Sequence, residues 1–193
     1  MKKIFLLIIT FTSINFAQEI VDSYSESNYS ADIQVGYSYY KWVGQSFLGN
    51  GDTLKTAKFY LSRDGTISGS AYAQLYAHSE TFGLDGLPTG SVLVQSNGVA
   101  VSTIGTSHSL ITFTFATPYI LIKDTPYFIV LYYSSGGSSY INIGCDTFTP
   151  NHVGNCALDD GSWTVYSGGD ACFYVYGQKP ISVTTFVPII TID

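Results

Sequence analysis

Groups able to move protons near neutral pH are few in this 193-residue chain, and their spacing assembles no catalytic pair. A glycoside hydrolase needs two carboxylates at a set separation, usually including a glutamate. The only glutamates are Glu19, Glu26 and Glu80. The first two fall in a weakly patterned N-terminal stretch. Glu80 shares a loop with Asp85, but the Asp85-Gly86 step is adequately explained as a turn. His78, His108 and His152 are scattered over different strand ends and loops, and no Gly-x-Ser-x-Gly elbow occurs. The chain is expected not to be an enzyme. No Cys-x-x-Cys or His-x-His spacing argues for zinc. Asp159, Asp160 and Asp170 are candidates for a structural Ca²⁺ site completed by backbone carbonyls. They match no recognised loop, and turn aspartates explain them as well; no other cofactor is implied.

Binding chemistry is better supplied. Outward positions of two successive patterned segments read Lys58 and Tyr60, then Tyr72, Gln74, Tyr76 and His78. If the two segments pair in one sheet, tyrosine rings, an amide, an amine and an imidazole share a flat patch. Aromatic faces stack on the C–H side of a pyranose while polar tips bond its hydroxyls. Outward tyrosines also stabilise sheets through cross-strand pairs. A second candidate set is Trp42, Asp159, Asp160, Trp163 and Tyr166, with Trp163 at a loop tip where aromatic residues often meet ligands.

The elements that must position these residues are strands. Turn signals recur at Asn50-Gly51, Asp64-Gly65, Asp85-Gly86, Asn97-Gly98, Gly136-Gly137, Asp160-Gly161 and Gly168-Gly169. Between them lie short runs rich in Tyr, Phe, Val, Ile and Thr with a period of two. That alternation puts Ala57, Phe59 and Leu61 in the core, and likewise Ala71, Ala73, Leu75 and Ala77. Ile111, Phe113 and Phe115 follow the same rule, as do Phe173 and Val175. Tyr127 to Tyr133 is apolar on both sides, so it is a central strand covered on both faces or one whose outer face carries an aromatic contact surface. Glu19 to Tyr40 is expected to hold an irregular edge strand. The fold class is all-β, an antiparallel, jelly-roll-like β-sandwich.

Compartment follows from the N-terminus. Lys2 and Lys3, the apolar run Ile4 to Ile9 and the small Ala17 before Gln18 form a signal peptide over residues 1–17. Its apolar part is shorter than the roughly 20 residues a membrane span needs, so the chain is expected to be secreted, extracellular or on a cell surface, with no transmembrane segment. The remaining six basic and fourteen acidic side chains repel phosphate backbones, which excludes nucleic acid as a partner. Export makes one disulfide plausible. Cys145 with Cys156 across a hairpin is the expected pair; Cys156–Cys172 and three unpaired thiols are the alternatives. The sandwich domain is expected over 18–177. Residues 178–193 form an apolar tail that docks, pairs with another chain or begins a further domain.

Several strings together resemble a known type of domain: Gly44-Gln45-Ser46-Phe47, Thr53 to Leu61, Leu75-Tyr76-Ala77-His78, Pro88-Thr89-Gly90-Ser91-Val92-Leu93, Leu110 to Phe115 and Cys172 to Gly177. Their order is similar to the choice-of-anchor R type domain, among exported or virion-associated β-sandwich domains of bacteria and phages. The resemblance covers roughly Trp42 to Gly177 and implies a surface sandwich module without catalytic residues. The expected function is a secreted, non-catalytic binding or adhesion module for a glycan or surface protein. The alternatives are a self-assembling structural component of a surface or tail, and a glycan hydrolase.

Overall fold

The computed structural model describes residues 17–36, 38–133 and 139–180. The expected leader up to residue 16 and the tail from residue 181 lie outside the described residues, as does the Gly136-Gly137 turn signal. Among the described residues no helix is long and apolar enough to cross a membrane.

The chain folds as two packed antiparallel sheets, the all-β sandwich that its alternation predicts. In the first sheet the long strand β4 (Thr53–Asp64) is central. β8 (Ser109–Thr114) pairs with one edge of β4; β14 (Phe173–Gln178) and β10 (Tyr140–Asp146) share the other, one after the other. Beyond them lie β1 (Glu19–Tyr24) on β14 and β2 (Ala31–Val35) on β10, so the expected N-terminal edge strand is in fact two. The short β13 (Asp170–Ala171) joins β10 beside Cys145 and Asp146. The second sheet runs β12 (Trp163–Tyr166), β11 (Cys156–Asp159), β3 (Trp42–Leu48), β9 (Pro126–Tyr132), β5 (Ser70–Ser79), β6 (Leu87–Gln95), with β7 (Val99–Ala100) on the start of β5.

Side chains facing inward from both sheets form one core. Ala57, Phe59, Leu61, Ala71, Ala73, Leu75, Phe113, Phe173 and Val175 are all fully buried there, as a two-residue period requires. Ala77 and Ile111, nearer strand ends, are only half-buried. Left-handed glycines make the tight bends at Gly65 (φ +71°) and Gly161 (φ +137°), where a side chain would be strained.

β5–β6 and β11–β12 pair as hairpins, whereas β3, β4, β5 and β8, β9, β10, β11 alternate between the sheets. That crossing overturns two expectations. β4 and β5 do not pair, so Lys58 and Tyr60 lie on a different sheet from Tyr72, Gln74, Tyr76 and His78. Cys145 and Cys156 are on strands of opposite sheets rather than across a hairpin, and the expected disulfide is not formed; all three cysteines are buried free thiols. Burial pushes Cys145 and Cys172 up to about 12 and Cys156 well above the ordinary thiol range.

Candidate functional site

The outer face of the second sheet is built by register. Trp42, Gly44 and Ser46 of β3 stand beside Tyr132, Val130 and Phe128 of β9. These stand in turn beside Tyr72, Gln74 and Tyr76 of β5. On the other flank, Asp159 and Ala157 of β11 sit beside Trp42 and Gly44, with Trp163 and Val165 of β12 beyond. Although this face points away from the main core, Phe128, Val130 and Ala157 are completely buried. Trp42, Tyr76, Leu87 and Trp163 pack over them as a second, smaller apolar cluster. β12 and β6, the two edges, approach each other, so the sheet rolls around this cluster.

Rings on this face are ordered by contact with one another. Trp42 stacks on Tyr132 (centroids 5.0 Å apart, planes at 21°), and Tyr132 on Tyr72 (6.3 Å, 28°). Tyr76 meets Trp163 edge-on at 6.2 Å. The Tyr76 hydroxyl donates to Gln74 Oε1 (3.2 Å), and Gln74 Nε2 donates to Gln95 Oε1 (2.6 Å). Burial, with Asp159 nearby, holds the Tyr76 hydroxyl above its ordinary range. His78 lies flat on Phe128 (5.1 Å, 13°) with Phe82 beside it, and its Nε2 is buried without a hydrogen-bond partner. The structure thus brings Tyr72, Gln74, Tyr76 and His78 together and adds Trp163 to them. Trp42 comes from the second candidate set. Tyr132 of β9 and Gln95 of β6 join them; the sequence signal for Tyr132 is its outward position on a strand apolar on both sides, and Gln95 carries none.

Tyr60 belongs elsewhere, on the outer face of the first sheet. It meets Tyr29 edge-on at 5.5 Å and His108 at 5.0 Å. Nearby, Lys58 Nζ sits 4.9 Å from the centre of the Tyr176 ring, and Tyr174 donates to Glu26 Oε2 (2.5 Å). The N-terminal segment carrying Glu26 and Tyr29 therefore overlies this sheet.

Two polar clusters test the catalytic alternatives. Ser62, His108 and Asp32 come together, but Ser62 Oγ (3.3 Å) and Asp32 Oδ1 (2.9 Å) both approach His108 Nε2. A relay requires the serine on one ring nitrogen and the carboxylate on the other. One nitrogen cannot accept from Ser62 while donating to Asp32, so this grouping is a polar contact and not a triad. The second cluster lies where both sheets meet near Cys156. His152 Nδ1 accepts from Gly154 N (3.0 Å) with Gln45 Nε2 at 3.2 Å, which assigns the proton to Nε2, 3.3 Å from Asp22 Oδ1. Gln45 Nε2 also donates to Asp170 Oδ1 (3.0 Å), and His152 N to Asp170 Oδ2 (2.9 Å). Burial raises the Asp170 carboxyl above its usual range. Neighbouring Asp146 shows the opposite result: burial pushes it up, but hydrogen bonds from Tyr24, Thr149, Phe148 and Ser30 together hold it low.

Asp159, Asp160 and Asp170 do not converge. Asp159 accepts from Gly161 N (2.8 Å) as a turn aspartate, Asp160 is exposed, and Asp170 belongs to the other sheet. Among the described residues no group of three or more His, Cys, Asp or Glu is placed to hold a metal ion, which corrects the calcium candidate. Glu80 is exposed, and Asp85 caps its own loop by accepting from Thr81 N (2.8 Å). No family model, curated protein or solved structure matches the chain.

Proposed function

We propose that this chain is a secreted, non-catalytic module that binds neutral carbohydrate on the outer face of its second sheet. One observation carries the reading: Trp42, Tyr72, Tyr76, Tyr132 and Trp163 share one rolled, half-buried face around the Gln74–Gln95 amide pair. The rings are half-buried, the Gln74–Gln95 amide pair and the Tyr76 hydroxyl lie among them, and the two tryptophans stand on one side of the row. That mixture suits a polymer with apolar C–H faces and hydroxyl rims. The surplus of acidic over basic side chains disfavours polyanions.

Glycan-array and polysaccharide-retention assays test the reading with Trp42→Ala, Tyr72→Ala, Tyr76→Ala and Trp163→Ala. Loss of about tenfold in affinity per ring, roughly 1.4 kcal/mol, is expected. Tyr60→Ala, on the opposite face, is expected to bind as the parent does. Retention unchanged in all four variants that remain folded removes this face from consideration.

A second reading, a self-assembling surface or tail component, is supported by a different observation. Leu48, Leu84, Ile120, Ile122, Phe148 and Val153 are exposed apolar residues, all on loops or strand ends at the same end of the sandwich. If that end assembles, the full chain sediments as an oligomer and Phe148→Ser with Val153→Ser returns it to a monomer. A monomer in the parent chain counts against it. Truncation at Gly177 separates any contribution of the apolar tail.

A further inference from the structure

At the end of the sandwich that carries those apolar loops, three connections converge around a cavity of about 260 Å³. They are the β5–β6 loop (80–86), the β10–β11 loop (147–155) and the β12–β13 turn (167–169). The loops are closely fitted: a Cβ on Gly83 would fall 2.2 Å from Val153 O, and one on Gly154 2.1 Å from Ser46 O. Leu84, Pro150, Val165 and Tyr166 line the walls, and Ser167 stands exposed at the rim. Asp170 and Asn155, 5% and 8% exposed, are buried polar residues of the lining, and the His152 side chain is buried beside them.

At its two most buried polar residues the unused hydrogen-bonding capacity is that of acceptors, while the hydroxyls of Tyr166 and Ser167 nearer the mouth can donate or accept. Each Asp170 oxygen accepts one bond, from Gln45 or from His152 N, and a carboxylate oxygen can accept another. Asn155 Nδ2 is committed to Gly86 O (2.8 Å), while among the described residues its Oδ1 accepts from Ser46 Oγ alone (3.3 Å). The floor of the cavity therefore offers acceptors. No lysine or arginine lines it, and both ring nitrogens of the one imidazole in the lining, His152, are taken up by Gly154 N and Asp22, so an anionic ligand would meet the Asp170 carboxylate with no free cation to answer it. The volume lies just below the roughly 300–1,000 Å³ of typical small-molecule sites. It suits one ring and not a chain.

We propose that this cavity is a second, end-on site that takes the terminal ring of a neutral saccharide, its hydroxyls donating to Asp170 and Asn155 and its apolar face lying on Tyr166 and Leu84. The ligand class rests on the carbohydrate reading above, but the location, charge selectivity and residues are independent of the sheet face.

Amide NMR titration of the full chain tests this, with the methyl glycosides of glucose, galactose and mannose, and with glucuronate and glucosamine as charged counterparts. Expected are saturable shifts confined to 83–86, 150–156 and 165–170 with at least one neutral glycoside, and binding of glucuronate at least tenfold weaker. Glucosamine outcompeting every neutral sugar would overturn the neutral assignment in favour of an amine site. Ser167→Trp, and Leu84→Trp from the opposite wall, are expected to abolish the titration while spectra elsewhere stay dispersed. Silence with all three glycosides, shifts surviving both plugs, or glucuronate binding equally well would overturn the site. Tyr72→Ala and Trp42→Ala leave this titration unchanged if it stands. If the titration is silent while polymer retention depends on those rings, the cavity fails and the sheet face holds; the reverse pattern fails the face alone.

Discussion

Tyr60, Tyr174 and Tyr176 on one outer face, and Tyr72, Tyr76 and Tyr132 on the other, occupy equivalent outward positions of patterned strands, yet their surroundings differ in kind. On the first sheet the rings lie among charged groups: Lys58 over Tyr176, Glu26 accepting from Tyr174, and the Asp32–His108 pair beside Tyr29 and Tyr60. On the second, ring contacts dominate and Phe128, Val130 and Ala157 beneath them are dry. An outward tyrosine is thus a polar anchor under a covering segment in one place and the roof of a second apolar cluster in the other. What decides between them is the next strand over, because Val130 and Phe128 come from β9, more than fifty residues further along the chain than their β5 neighbours.

The contrast is most sharply broken at Phe128. If the second face is a true apolar cluster, Phe128→Ala costs about 3–5 kcal/mol in urea unfolding. Tyr60→Ala on the other face, where the ring is half-buried, is expected to cost less than half as much. Equal costs would mean that the two faces are alike. A smaller effect comes from the glycines against each face. A Cβ on Gly86 would lie 2.1 Å from His78 Nε2, and one on Gly144 2.8 Å from Tyr60 Cδ1. His78 is pinned flat on Phe128, so Gly86→Ala is expected to cost about 1–3 kcal/mol. A Cβ on Gly144 would meet the rings of Tyr60 and the exposed Tyr29 (3.0 Å), side chains that can shift rather than backbone, so Gly144→Ala should fall at or below the lower limit of that range.

The smallest effect is one of pH. Burial lowers the His78 pKa below its ordinary 6.5, against a weaker opposing pull from Asp85. On acidification the unfolded chain therefore takes up this proton first. Stability falls as pH drops through 6.5 and stops falling once the folded value is passed. His78→Phe should flatten that part of the profile when unfolding is compared between about pH 7.5 and pH 5.5; an unchanged slope would place the titrating group elsewhere.

Local rhythm made much of the fold legible. Phe59, Leu75, Phe113 and Phe173 are fully buried because a strand with one greasy side has one way to face a core, and Tyr127 to Tyr133 is central because both of its sides are greasy. Partner choice was not legible. Neighbouring strands pair more often than not, and on that rule Lys58 and Tyr60 should have joined Tyr72 and Tyr76, and Cys145 should have faced Cys156. The chain instead crosses between sheets after β4 and after β10. Arg63 is held there by Ile104 O (2.7 Å), and Ile67 buries itself in the connection. Such contacts are between distant parts of the chain, and no window of residues contains them. Of the candidate site, the Tyr72–Gln74–Tyr76–His78 row could be read from alternation, whereas its roof of Trp42 and Trp163 required the rolled sheet.

β9 has consequences beyond packing. It is hydrogen-bonded to β3 on one side and β5 on the other, and Phe128 through Leu131 are shut away from water on both faces. No partial opening at an edge or a loop releases its amides, so deuterium should enter them only when the entire molecule comes apart. Exchange at Ile129 and Val130 would then serve as an internal clock for global unfolding.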